Sequence, residues 1–487
     1  MTAVAAVPPA AVGRGTSPHL AWLRDRGMGA TVVVAAIAAA FATVLVSATG
    51  LIGAMLLADP HIGGGGTTLL VVGILSILLV GVAVHVSAVV TANTFATVVA
   101  GRTRRIALLR LIGASARSQR GEIARQGLVT GAIGAFVGLV AGTAASVLGV
   151  EVARSVFGLG EVGHQVVQPV LLLPPAVVAL TTWAAAWVGS RGVLDVTPLQ
   201  ALSASVEPTV AEASARRGLR AGALVLGSLG MLLLVAGVAL GLVHPIGVAV
   251  AFVGGLLSFT ALALGATWVM PPLLRAVGRL FGRSAAARLA TLSAARHPQR
   301  SSRTAIGIVI AVTLVTMFAV AGETVKAVAA VAAGGEIDPY VAGILDTFTG
   351  VMIGLVAVSA VIAAVGLVNL LTLGVAQRRR ELGLLRVLGL SSGQVRRMVL
   401  LEAAQLTVAA VGFGLVLGAL YGWAGAQSVL GSVALPPAWT SPTFVAPALP
   451  WSALALIAAA AAVVTVAATV GPTRLATRVT PVAALAE

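Results

Sequence analysis

Arg378, Arg379, Arg380, Glu381 and Arg386 crowd one short polar knot, which opens at Gln377 between two stretches apolar enough to cross a bilayer. Guanidinium groups beside a carboxylate make charge-assisted, bidentate contacts. Such a cluster docks and anchors; it makes and breaks no covalent bond. The same pattern stands 276 positions earlier. Asn369 falls on Asn93, Arg378 on Arg102, Arg380 on Arg104, Arg386 on Arg110, Gly389 on Gly113 and Ser391 on Ser115. A repeat held in register constrains the architecture before any single residue does.

Few other side chains carry chemistry. Glu402 and Gln126 hold equivalent places near the inner ends of apolar runs. A carboxylate inside a span is costly and marks a functional candidate. Its structural alternative is an ion pair with Arg396, Arg397 or the knot arginines. His85 falls inside an apolar run, as a buried hydrogen-bonder or a proton carrier. Asn93 and Asn369 suit hydrogen bonds between helices. With no cysteine, disulfides and thiolate chemistry are excluded. No His/Asp/Glu cluster has metal-ligand spacing, and no nucleophile stands with a base, so no metal-binding or catalytic residue is expected. A phosphate-binding P-loop needs Gly-Lys-Ser/Thr. The only lysine, Lys326, precedes Ala327. Gly63 to Gly66 follows no strand and reads as a turn. The chain itself therefore calls for no cofactor.

The elements around the knots follow from periodicity. Leu382, Leu385 and Leu388 recur every three residues with Arg386 between them. That is a short amphipathic helix at a membrane surface. Gly389 stops it, and Ser391-x-x-Gln394 caps the next helix. The motif is helix, surface elbow, helix.

Composition sets the class. The chain is 59% hydrophobic and 9% charged, with a mean hydropathy of +1.05. Soluble domains carry about 25% charged residues, so this is a polytopic membrane protein. Ten runs reach the roughly 20 residues a span needs. They are about 29–58, 67–100, 127–150, 171–190, 220–243, 246–270, 304–323, 343–375, 399–425 and 451–472. The first is too long for a signal-peptide core. Ten spans put both termini on one side. With that side inside, only Arg154 and Lys326 among 31 basic residues fall outside, as the positive-inside rule requires. The net charge of +16 then faces anionic membrane lipid, and a nucleic-acid partner is rejected.

The expected fold is an all-α integral membrane protein of about ten transmembrane helices, arranged 4+2+4 with two parallel repeats. Residues 1–28 are a cytoplasmic N-terminal segment and 29–202 the first four-helix unit. Residues 203–218 form a polar link, 219–270 a two-helix insertion and 271–303 an Arg-rich cytoplasmic lead-in. Residues 304–487 hold the second unit and tail. The units end alike, as R-G-V-L-D-V-T-P-L-Q-A-L from Arg191 and R-L-A-T-R-V-T-P-V-A-A-L from Arg474. Runs 67–100 and 343–375 exceed a bilayer and must tilt or project. Gly134, Gly138 and Gly142, and Gly414 and Gly418, allow close helix packing. Trp183, Trp187, Trp268, Trp423, Trp439 and Trp451 sit near span ends as interfacial anchors.

At these residues the chain resembles the FtsX-like permease family, the membrane subunits of MacB-type ABC systems. Arg378, Glu381, Leu382, Leu385, Arg386, Gly389 and Glu402 match the family pattern R-x-x-E-[IL]-[AG]-x-L-R-x-[LIV]-G and its third-helix Glu. Leu289 to Thr304 resembles the lead-in to the family's first span, and T-P-V-A-A-L its C-terminal signature. The first unit departs from the pattern at Arg105 and Gln126. A ten-span layout also resembles BceB-type antimicrobial-peptide permeases, which carry a large external domain where this chain has only 324–342. The resemblance implies a permease subunit in a bacterial cytoplasmic membrane, without enzymatic activity of its own. It would work with two copies of a cytoplasmic ATPase that binds ATP and Mg. Arg102, Arg104, Arg105, Arg110 and Gly113, with Arg378, Arg380, Glu381, Arg386 and Gly389, would be the coupling elbows. Spans 1, 2, 7 and 8 would form the path for an amphipathic substrate: a lipid, lipopeptide, antibiotic or peptide. Two other readings are a proton-coupled transporter using His85 and Glu402, and a mechanotransmitting partner of an envelope hydrolase or sensor kinase.

Overall fold

The computed structural model describes residues 28–58, 73, 77–78, 81–82, 84–85, 88–89, 103–157, 168–190, 217–335 apart from 283 and 297, 384, 386–434 and 442–478. Asn93, Arg102, Asn369, Arg378, Arg380 and Glu381 lie outside them. For Arg104 and Arg105 the backbone alone is described.

The helices are α1 (Met28–Ala58), α2 (Thr103–Leu111), α3 (Ala116–Phe157), α4 (Leu173–Gly189), α5 (Arg217–Gly241), α6 (Gly247–Leu280), α7 (Ala285–Arg296), α8 (Pro298–Ala332), α9 (Ser392–Leu430) and α10 (Trp451–Arg478). Among the described residues there is no strand. Seven helices among the described residues are long and apolar enough to cross a membrane: α1, α3, α4, α5, α6, α8 and α9. α10 adds a shorter apolar stretch, Trp451–Val463. The run 343–375 falls outside the described residues and most of 67–100 does too. The protein is an all-α membrane protein.

Helix lengths correct the span boundaries. α3 has 42 residues and α9 has 39, about 63 and 59 Å at 1.5 Å per residue. A bilayer core is about 30 Å. The runs 127–150 and 399–425 mark only the apolar middle. Each helix begins at its elbow and runs unbroken through its apolar stretch, because Arg, Gln, Glu and Ala at its elbow end favour helix as well as leucine does. α6 also differs. The apolar run 246–270 ends before Pro271 and Pro272, yet the helix continues through both to Leu280. Each proline removes a backbone donor. Met270 and Leu274, both buried, flank the prolines and hold the chain in the core.

The repeat is visible in packing as well as sequence. α1 lies against α3 and α4, and α8 lies against α9 and α10 in the same way. Glycines set the closest approaches. A methyl group on Gly138 would strike the Ala36 carbonyl, and one on Gly142 would stand 2.7 Å from the Ala40 carbonyl. On α9, Gly414 meets Val312 and Gly418 meets Thr316. Val312 and Thr316 are Ala36 and Ala40 moved on by the repeat of 276.

The hairpin α5–α6 lies between these groups. α6 packs on α8 and α9. On its other side, a methyl on Gly81 would come within 2.9 Å of the Phe252 ring. One core thus joins Val34, Val82 and Ala135 to Phe259 and Met270, and on to Ile310 and Leu406. α7 lies across the N-terminal end of α9, where Ala290, Val395 and Met398 make a second small cluster edged by Leu289 and Leu390. At the far end, buried Gln427 grips the returning chain. Its Nε2 donates to the Thr443 carbonyl at 2.8 Å, and its Oε1 accepts from the Val445 N–H at 2.7 Å.

Candidate functional site: a repeated elbow at the inner ends of α3 and α9

α2 ends in a tight reversal. The Gly113 N–H donates to the Arg110 carbonyl at 3.1 Å and the Ala114 N–H to that of Leu109 at 3.0 Å. Gly113 has φ +101°, a left-handed setting that glycine adopts without strain. The second elbow repeats it. The Gly389 N–H donates to the Arg386 carbonyl at 3.1 Å, again with φ +101°. Next come the caps. Ser115 Oγ accepts from the Ser118 N–H at 3.0 Å. Ser391 Oγ accepts from the Gln394 N–H at 3.2 Å, and Gln394 Oε1 accepts from the Ser391 N–H at 2.9 Å. Only the second elbow closes the full capping box; Ser118 is too short to reach back.

Arg110 and Arg386 are half-buried at matching places in the two elbows. Beside them runs an apolar ridge; of the periodic Leu382, Leu385 and Leu388, the described residues include Leu388 alone, and it belongs to the ridge. Leu108 and Leu384 are each 50% exposed, and Ile112 and Leu388 are 81% and 71% exposed. Ile106 and Ala107 turn inward instead. Whatever surface the ridge meets, it meets twice. A residue preceding the left-handed glycine at the elbow tip is the signal that could have singled out Ile112 and Leu388.

The two halves support their elbows differently. In the second, Ser293 of α7 donates to Glu402 at 3.4 Å, and Thr291 donates to Gln405 Oε1 at 3.2 Å. Arg396 and Arg397, expected beside Glu402, are exposed. In the first, Gln126 is buried and its Nε2 donates to Glu122 Oε1 at 3.1 Å. Arg125 adds two bonds of 2.9 Å to the same carboxylate. The first half has therefore kept an acid, displaced one helical turn toward the elbow. Arg120 then ties α3 to α4. Its Nε and Nη2 donate to the Trp187 carbonyl at 3.2 and 3.0 Å, and its guanidinium lies 3.7 Å over the Trp187 ring. Neither support was foreseen from spacing.

His85 belongs to a different place. Its ring lies 6.2 Å from that of Phe259, which lies 6.4 Å from that of Tyr421. Tyr421 and Ser258 share a 2.9 Å hydrogen bond, while His85 Nε2 is buried without a hydrogen-bond partner. Tyr421 and Glu402 are separated on α9 by about 28 Å of helix. His85 and Glu402 thus sit at different depths.

The model of the family described as FtsX-like permease C-terminal matches residues 77–194 and 353–481. The two matches together span just over half the chain, begin 276 residues apart and each enclose one elbow. The chain belongs to the FtsX-like permease family. No curated protein matches it. As an FtsX-like permease it is a multi-pass membrane subunit of an ABC transporter, a class whose members work with cytoplasmic ABC ATPases. The geometry that recurs in both family matches is the elbow.

Proposed function

We propose that this permease supplies both halves of an export pathway and docks one copy of a cytoplasmic ATPase on each elbow. ATP and Mg belong to the partner. The reading is carried by one observation: two elbows, 276 residues apart, share the same left-handed glycine and the same exposed ridge beside an arginine. A surface that merely rests on lipid has no need of that spacing. Arg110 and Arg386 hold the partner's acidic groups, and Ile112 and Leu388 enter an apolar hollow between them. Arg102, Arg104, Arg105, Arg378, Arg380 and Glu381 extend the charged side, with both termini facing the cytoplasm.

The mechanics follow from helix continuity. α3 and α9 start at the caps Ser115 and Ser391 and run unbroken to the far end. A helix of that length transmits displacement as a rod. When ATP draws the two ATPases together, the elbows move and the rods carry that motion outward. There Gln427 and Trp423 of α9 hold residues 443–445, so the outer segment moves with α9. The cargo is amphipathic and taken from the membrane, since the chain's outer loops are short.

The test is the double substitution Arg110→Glu with Arg386→Glu. The permease should insert normally, while stimulation of the partner's ATPase falls to the basal rate of the partner alone. Full stimulation in that variant sinks the proposal.

A further inference from the structure

The inner end of the hairpin α5–α6 has a basic corner that the elbows leave unused. Glycines fix the register there: Gly237 sits against Ala251, Gly230 against Ser258 and Gly227 against Ala261. The same register brings Arg220 to Trp268. The Arg220 guanidinium carbon lies 5.3 Å from the centre of the Trp268 ring, within cation–π range. Its Nε is buried and has no hydrogen-bond partner. Arg275 and Arg279 continue the stripe of Trp268 along α6 toward the cytoplasmic end. Arg275 Nε already donates to the Pro271 carbonyl at 3.3 Å. Neither helix of the hairpin carries a carboxylate, because the sequence holds no Asp or Glu between Glu212 and Glu323. Just outward of Arg220, α5 presents Leu224, Val225, Leu229 and Leu232 to the surroundings. α5 is also the least buried of the seven spans.

We propose that this corner binds one anionic phospholipid of the inner leaflet. The phosphate sits on the Arg220 guanidinium, and the acyl chains lie along Leu224, Val225 and Leu232. Three features choose a lipid over a free anion or an acidic protein. Trp268 marks the depth of a membrane interface. The apolar residues begin within one turn of the charge. The planar, always-charged Arg220 guanidinium matches phosphate geometry. The assignment rests on the reading that this end of the hairpin faces the cytoplasm.

Native mass spectrometry of the full-length permease in detergent tests it, with phosphatidylglycerol and phosphatidylcholine as competing probes. Wild type should hold one phosphatidylglycerol with a preference of roughly fivefold, the scale of one arginine at an anionic surface. Arg220→Gln should bring the two lipids to parity, and Arg288→Gln, at an exposed arginine of α7 outside the corner, should leave the preference in place. Equal losses in both variants would mean diffuse charge and would overturn the site, as would an unchanged Arg220→Gln. Thermal melts supply the second arm. Phosphatidylglycerol should raise the melting temperature of wild type above that reached with inorganic phosphate; equal stabilisation by phosphate overturns the lipid assignment. Should Arg220→Gln fail to fold, Arg220→Lys keeps the charge and loses the planar fork. Its preference should fall, and full retention counts against the site. None of these readouts needs the ATPase, so their failure leaves the coupling proposal standing.

Discussion

Each unit carries a carboxylate near the foot of its long helix, held by a different neighbour. Glu402 takes the hydroxyl of Ser293, and Glu122 takes Gln126 and Arg125. The charge near the second elbow is thus tied to α7, while in the first it stays within one helix. This inequality makes single substitutions informative. Glu381→Arg, which gives the second elbow the residue of the first, should lower stimulated ATPase activity more than Arg105→Glu; equal losses would mean that the two elbows are read alike. Gln427 is the other residue whose role can be measured. Gln427→Leu leaves the buried Val445 N–H without its partner, at about 1–3 kcal/mol, and removes the bond to the half-buried Thr443 carbonyl. Hydrogen exchange at Val445 should speed up, and unchanged protection would show that other contacts hold the segment.

At the scale of elements, glycine decides how close the rods approach. Gly138→Ala places a methyl against the Ala36 carbonyl, backbone that cannot swing aside. Gly149→Ala, on the same helix, meets nothing within 4 Å. The first should cost about 1–3 kcal/mol, read as a fall of several degrees in melting temperature. The second should be neutral or stabilising. Similar melting of the two variants would contradict the close α1–α3 packing. Local signals made these elements legible. Gly113, Gly389 and the Ser391–Gln394 pair act on their own backbone within three residues, so spacing revealed them. The run 246–270 stops short of α6, because Pro271 and Pro272 disfavour helix locally and the burial of Met270 and Leu274 in the core overrides them. Arg120 and Trp187 are 67 residues apart, and Ser293 and Glu402 are 109 apart. Pairs like these exist only after the helices have packed, and no periodicity announces them.

For the whole molecule, the offset of 276 does most to organise the fold. It appears in the motif, in the glycine contacts of α1–α3 and α8–α9, and in the two family matches. The hairpin α5–α6 breaks the symmetry. It binds the second unit through α6, α8 and α9 and reaches the first through Gly81 and His85. Hydropathy located the hairpin but gave no hint of its place, because an apolar helix against lipid and one against protein have the same composition. The central claim is that both elbows touch an ATPase. The chain has no cysteine, so Ile112→Cys and Leu388→Cys each introduce a unique thiol. With a thiol–amine cross-linker in the assembled transporter, each variant should join to the ATPase. The double variant should also yield one permease joined to two ATPases. An adduct at only one position, or at neither, would contradict the account.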